Sequence, residues 1–167
     1  MSVLGNTGEY CLLISIIKKN WQNIGLNVMV ILIDTDIILD YLISREPFVD
    51  NADKILSLCF QQKCSGYIAA HSITNIFYIL RRNFSASKRK EMLMELCEFI
   101  EVAGIHKKQV IDALANEDFD DLEDRLQVEC ARMVKADYIV TRNIADFTGS
   151  PIQVVSPEEL LKKMAVY

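Results

Sequence analysis

The sharpest hydrophobic signal in the chain is Val28–Ile33, six apolar residues in a row that run directly into Asp34-Thr35-Asp36. A short, wholly apolar run rich in Val and Ile predicts a strand buried on both faces, as in parallel sheets. Behind it, Ile37–Ile43 is apolar at helical spacing and ends before Pro47, which favours an extended residue ahead of it. Val49–Gln62 places Ala52, Ile55, Leu56 and Cys59 at helical spacing, and Gly66–Ala70 reads as a second strand. Ser72 heads a predicted helix over Ile73–Arg82. A further helix, capped by Ser85 or Ser87, is predicted to run to about Val102. Gly104 and Ile105 open a short connection or a strand edge, followed by a small helix at Gln109–Ala115. Leu122, Leu126, Cys130 and Met133 share one face of a long helix. Tyr138–Thr141 and Ile152–Val155 are short strands. Ser156-Pro157-Glu158-Glu159 combines an N-cap, a Pro at the first helical position and two first-turn acids. Strands alternate with helices throughout, so the simplest packing is a three-layer α/β/α fold around a central, mainly parallel sheet.

The segment before Val28 has a different character. Glu9–Trp21 suits a short amphipathic helix, but Gly5, Gly8 and Gly25 loosen its surroundings, and Met29 offers an internal start. The division expected is an N-terminal extension, residues 1–28, with read-through from upstream sequence as one origin, and a domain over 29–167. Its apolar run Cys11–Ile17 is too short to span a bilayer and lacks the basic N-terminal region and small-residue cleavage site of a signal peptide.

A length of 167 residues, 51% of them hydrophobic, suits one compact domain. The net charge of −5 excludes a molecule that attracts nucleic acid as a whole, so any such contact must come from a local basic patch. The stretch Arg81–Lys90 is such a patch, with Arg81, Arg82, Lys88, Arg89, Lys90 and no acid. Its default role is a solvated face; its functional role would be contact with RNA phosphates. Cys11, Cys59, Cys64, Cys97 and Cys130 show no metal-ligand spacing and read as reduced thiols of a cytoplasmic protein.

Three acids fall at comparable places: Asp34 after a strand, Asp124 in the first turns of a helix, and Asp146 just past a strand. In open α/β sheets, ligands bind beyond the carboxyl ends of the strands. Converging carboxylates there are the hard oxygen donors that Mg²⁺ and Mn²⁺ take, and a metal so held can activate water.

With these residues in view, the chain resembles a known family. LIDTDIILDYL, HSITNIFYIL, DFDDLEDRLQ, DYIVTRNIADF and VVSPEEL follow, in order, the pattern of the PIN-domain ribonucleases, the nearest branch being the VapC-like toxins of toxin–antitoxin pairs. The resemblance spans about Val30 to Leu161. It implies a PIN-like fold and metal-dependent hydrolysis of RNA phosphodiester bonds, with tRNA among the candidate substrates. It further implies Mg²⁺ or Mn²⁺ as cofactor, a cognate antitoxin protein, a homodimer and a cytoplasmic location with no membrane partner. Carried over by position, Asp34 is the principal metal ligand and Thr35 its small polar support. Asp124 is the acid opening the long C-terminal helix, with Asp121 a neighbour able to substitute. Thr141, Asn143 and Asp146 close the site. Asn75 departs from the pattern, standing where the family commonly has Glu. An Asn can ligate through its carbonyl oxygen but contributes no charge and no general base. It therefore motivates the alternative of a weakened or inactive PIN-like binding module.

Plainer roles compete at each position. Asp34 also suits the N-cap of the helix that follows, and Asp120 with Glu123 suits a capping box in which Asp121 is a helix-dipole partner. Asp146 suits turn chemistry, Asn75 suits first-turn amides, and His71 suits a structural loop position. The start ILIDTDIIL also fits haloacid-dehalogenase-like phosphatases, but the Lys and acidic pair that such enzymes need beyond the later Thr have no place after Thr141.

Overall fold

The computed structural model describes residues 28–115 and 121–165. The expected extension lies outside these residues except for Val28, as do Asp118 and Asp120. At the centre stands β1 (Val30–Ile33), whose Ile31, Leu32 and Ile33 are completely buried. Alternation along the strand sends Ile31 and Ile33 into one core and Leu32 into the other. This is why the run carries no polar position.

Five strands form one parallel sheet in the order β3-β2-β1-β4-β5, with β2 at Ser65–Ala69, β3 at Glu101–Ala103, β4 at Tyr138–Val140 and β5 at Gln153–Val155. One face of the sheet carries α1 (Thr35–Leu42), α2 (Val49–Phe60), α3 (Ala70–Ile79), α4 (Ala86–Leu96) and, through Leu160, α7 (Pro157–Met164). Against the other face packs α6 (Leu122–Met133), through Val128, Cys130 and Ala131. α5 (Lys107–Leu114) lies against α6. The three-layer expectation therefore holds, and the sheet is parallel at every described pairing.

Two boundaries differ from those the sequence predicts. The helix expected to reach Val102 ends at Leu96, and Glu101–Ala103 pairs instead with Tyr67–Ala69 as the edge strand β3. An edge strand with Glu101 and Val102 exposed and only Ala103 buried has no periodicity to read. Ser85 does cap α4, accepting the Lys88 amide at 3.3 Å. Ser72, expected to head α3, lies inside it, since that helix already begins at Ala70. The final helix follows the sequence: Ser156 and Glu159 exchange the two bonds of a capping box at 3.2 and 3.0 Å.

Gly66 lets β2 approach α2 and the segment beneath it. A methyl group there would sit 2.6 Å from Cys59 Sγ, 2.8 Å from Ile100 Cδ1 and 3.2 Å from Ile33 Cδ1. Three core contacts cannot all retreat without off-rotamer side chains, so Gly66→Ala is expected to destabilise the fold by about 1–3 kcal/mol. Urea unfolding followed by circular dichroism checks this, and an unchanged midpoint would mean that the core yields there. Among the described residues, no helix is long and apolar enough to cross a membrane.

Candidate active site

At the carboxyl end of β1 the chain changes from Ile33 to Asp34, beside the end of β4. The Asp34 amide donates to Val140 O at 3.0 Å, which fixes the two strand ends together. Strands added after β1 lie on both its sides, so this junction is where the winding direction of the sheet reverses, the usual place for a ligand crevice. Asp34 occupies the N-cap position of α1, yet its side chain makes no capping bond. Instead Thr141 Oγ1 donates to Oδ2 at 2.7 Å and Gln127 Nε2 donates to Oδ1 at 3.0 Å. A simple capping role for the carboxylate is thereby excluded. Burial pushes the Asp34 carboxyl above its ordinary range, with the bonds from Thr141 and Gln127 opposing that shift.

Around Asp34 opens a cavity of about 470 Å³. Its acidic wall holds Asp36, Asp121, Glu123, Asp124 and Asp146, and Asn75 and Asn143 also line it. The residues that the sequence assigns to one site thus do meet, brought from β1, α3, the start of α6 and the turn after β4. Thr141 does not line the cavity but is completely buried behind it. It accepts the Asn143 amide at 3.0 Å while donating to Asp34, and so sets the path of the turn carrying Asn143 and Asp146. Asp124 is pushed up to about 7, first by burial and then by the charges of Asp121, Asp34, Asp146 and Glu123. Such a carboxylate cluster opposes itself electrostatically and favours a cation among its members.

Oxygen donors of this kind fit Mg²⁺ or Mn²⁺, which bind through one or two carboxylates and keep several waters. As the side chains stand, no three Asp, Glu, His or Cys residues among the described ones form a set that holds an ion.

The cap of α6 is Asp121, whose Oδ1 accepts the Glu123 amide at 2.7 Å; Asp120, expected as the cap, lies outside the described residues. Glu123 faces the site instead, and Thr35 Oγ1 lies 3.4 Å from its Oε1. Thr35 also donates to the completely buried Ser72 at 2.8 Å, which joins α1 to α3 under the site. His71, expected in a loop, lies in the first turn of α3, where burial lowers its pKa against the charge of Glu123.

Three features lie beyond what the sequence predicts. Gln127 stands three residues after Asp124 and so on the same helix face, a spacing that could have pointed to it. Ser72 gives no signal beyond its resemblance to a cap. Asp36 and Asp40 on α1 pair with Arg142: its Nη2 lies 2.9 Å from Asp36 Oδ2 and its Nε 3.0 Å from Asp40 Oδ2. Arg45 Nη1 adds a contact to Asp40 Oδ1 at 3.3 Å, and Arg142 stacks over Phe48 at 4.2 Å.

The basic cluster divides. Arg89 donates to Phe77 O at 2.7 Å and covers the Phe77 ring, and Lys88 pairs with Glu91 at 3.0 Å. Arg82 and Lys90 are exposed. Arg81 does not line the cavity itself but holds its guanidinium 3.6 Å from the centre of the ring of Tyr78, which does.

A parallel α/β/α domain with a buried, braced Asp at its central strand end and a carboxylate-lined cavity defines a class of acidic-site α/β proteins. Within it, the chain matches the PIN domain over residues 30–145, more than half its length, and belongs to that family. No curated protein matches it in sequence. Among solved structures it is similar to a toxin–antitoxin complex from Klebsiella pneumoniae, at 21% identity and a TM-score of 0.58, over 75% of this chain and 96% of that one. VapBC2 from Rickettsia felis, bound to a DNA fragment from its promoter, gives 17% identity and a TM-score of 0.58 over 77% and 98% of the two chains. VapC20 from Mycobacterium tuberculosis, described as a Sarcin-Ricin loop cleaving toxin, gives 12% identity and a TM-score of 0.53 over 65% and 86%. At these identities the likeness is one of fold.

Proposed function

We propose that the chain is a metal-dependent endoribonuclease acting in the cytoplasm as the toxin of a toxin–antitoxin pair. The observation that carries the reading is Asp34, buried at the end of the central strand, braced by Thr141 and Gln127, and facing a cavity shared with Asp124 and Asp146. Asp34, Asp124 and Asp146 would hold Mg²⁺ or Mn²⁺, with Asp121 and Glu123 adjoining. When bound, such an ion supplies a water of lowered pKa and a positive centre for the phosphoryl oxygens. The chain's own part is orientation: Thr141 and Gln127 fix both Asp34 oxygens, and the Thr141–Asn143 bond holds the opposite wall. An antitoxin partner belongs to the same proposal, supported by the toxin–antitoxin assemblies among the similar folds; a homodimer is proposed from the family resemblance alone. An RNA substrate is supported by the description of the Mycobacterium tuberculosis protein. The test is incubation of purified protein with end-labelled total tRNA and a mixed RNA pool in Mg²⁺, Mn²⁺ or EDTA. Cleavage that EDTA abolishes supports the reading, and a folded, antitoxin-free protein inert in every metal overturns it.

Asn75 favours one second reading, a PIN domain that binds without cutting. Its amide lines the acidic cavity but adds no charge to it. Asn75→Glu adds a carboxylate to the donor set, and divalent-ion affinity rises with ligand charge. The expected result is an approximately tenfold lower half-saturating Mn²⁺ concentration, worth about 1.4 kcal/mol, read by metal titration of cleavage. A wild-type protein without activity that Asn75→Glu restores would establish the second reading.

A further inference from the structure

The acidic site presents a problem for an RNA substrate, because most of its wall repels phosphate. Six carboxylates line the cavity: Asp34, Asp36, Asp121, Glu123, Asp124 and Asp146. The apolar part of the wall is Leu39, Tyr78 and Ile79. Tyr78 and Ile79 lie three and four positions beyond Asn75 on α3, hence on the same helix face and about 5 Å further along the axis. Tyr78 is 59% exposed, a large aromatic surface left in water at the rim of a polar cavity. Arg81 holds its guanidinium 3.6 Å from the ring centre, and among the described residues no carboxylate pairs with it. This wall therefore combines what the acidic wall lacks: an aromatic face and a positive charge.

Resting on the nuclease reading, we propose that Tyr78, backed by Arg81, is the stacking platform for an unpaired nucleobase next to the scissile phosphate. A nucleotide carries a flat π-face and an anionic phosphate, and only the Tyr78 end of the cavity matches the first. Stacking on aromatic side chains is the common way in which proteins take up unpaired bases, and it tolerates any base because each has a π-face. A base inside a duplex has both faces covered by its neighbours and cannot reach the ring. Arg81 polarises the ring from one side and adds the positive charge that a polyanion needs to approach this wall. The solvent exposure of Tyr78 means that its replacement removes little packing, so binding and folding separate cleanly.

The test is fluorescence anisotropy of the full chain with a short fluorescein-labelled oligoribonucleotide of mixed sequence, free or annealed to its complement, in Ca²⁺. Intact oligomer is verified on a gel, and melting temperatures confirm that each variant folds. Tyr78→Ala is expected to weaken binding of the unpaired oligomer about five- to a hundredfold. Tyr78→Leu, which keeps apolar bulk without a π-face, is expected to lose nearly as much, and Tyr78→Phe to bind like the wild type. Binding of the duplex, already weaker, is expected to be indifferent to all three. Wild-type affinity in Tyr78→Ala and Tyr78→Leu, or an equal loss on single strand and duplex, overturns the platform. If the wild type cleaves RNA while the variants bind and cleave alike, only the platform falls; if it neither binds nor cleaves any RNA, the nuclease reading falls first.

Discussion

Asp34→Asn is expected to cut metal-stimulated RNA cleavage by about a thousandfold while leaving the protein folded and at least as stable as the wild type. The two halves of this expectation have separate causes. Activity is lost because the amide carries no charge, and the ion loses the carboxylate best held in the site. Stability survives because the carboxylate is itself costly: burial raises its pKa, so in the fold the ionised form is disfavoured relative to the unfolded chain. The two bonds to Asp34 can also be kept. Thr141 Oγ1 still finds an oxygen, and a half-turn of the Gln127 amide presents its otherwise unpartnered Oε1 to the new NH₂ group. Cleavage assays in Mn²⁺ and a thermal melt in EDTA measure the two effects independently. A variant that still cuts at near wild-type rate would remove Asp34 from the reaction, and one that melts far lower would make it structural.

The same residue shows why part of the site is legible in the sequence. A central strand of a parallel sheet buries both faces, so its apolar run has no polar interruption, and the first polar residue after it marks the sheet edge. The local sequence alone therefore places Asp34 at a crevice. Ser156 and Glu159 are legible for a related reason, since a capping box is complete within four residues of chain. Asp124 and Asp146 need the family pattern as well, because an acid in a first turn or a short loop is ordinary surface chemistry.

What stays hidden depends on contacts between distant segments. The Gln127–Asp34 and Thr141–Asp34 bonds join residues 93 and 107 positions apart. Gln127 shares a helix face with Asp124, but nothing local says that it reaches back to Asp34. Ser72 looks like a cap because a serine before an apolar helical run usually is one; its burial under Thr35 is decided by how α1 and α3 pack. β3 merges with a predicted helix because three residues at an exposed sheet edge carry too little pattern to oppose the helical run before them. In each case the local preference is weak and the tertiary partner decides the outcome.

The largest stability effect is expected from a residue to which the sequence alone assigns no role. Asp40 is completely buried, with Arg142 and Arg45 on its two oxygens at 3.0 and 3.3 Å. These are charge contacts more than well-aligned hydrogen bonds, and burial still pushes the Asp40 carboxyl upward against both guanidiniums. Removing one member of a buried pair strands the other charge, which costs more than the pair itself contributes. Asp40→Ala is therefore expected to destabilise the fold by about 2–4 kcal/mol, toward the lower part of that range because Arg45 is 35% exposed and can turn to water. Asp40→Asn keeps the shape and an oxygen for Arg142 while removing a charge that burial penalises, so a smaller loss is expected. Urea unfolding of both variants, with Arg142→Met alone and combined with Asp40→Ala, gives the coupling energy of the pair. The consequence reaches the site through Arg142, which also holds Asp36 on the cavity wall and follows Thr141 in the chain. Loosening it frees the strand end that braces Asp34, so cleavage by Asp40→Ala should fall further than its folded fraction alone explains. Equal stability of Asp40→Ala and the wild type would show that the four charges merely share a pocket, and activity that tracks the folded fraction would confine the network to holding α1 in place.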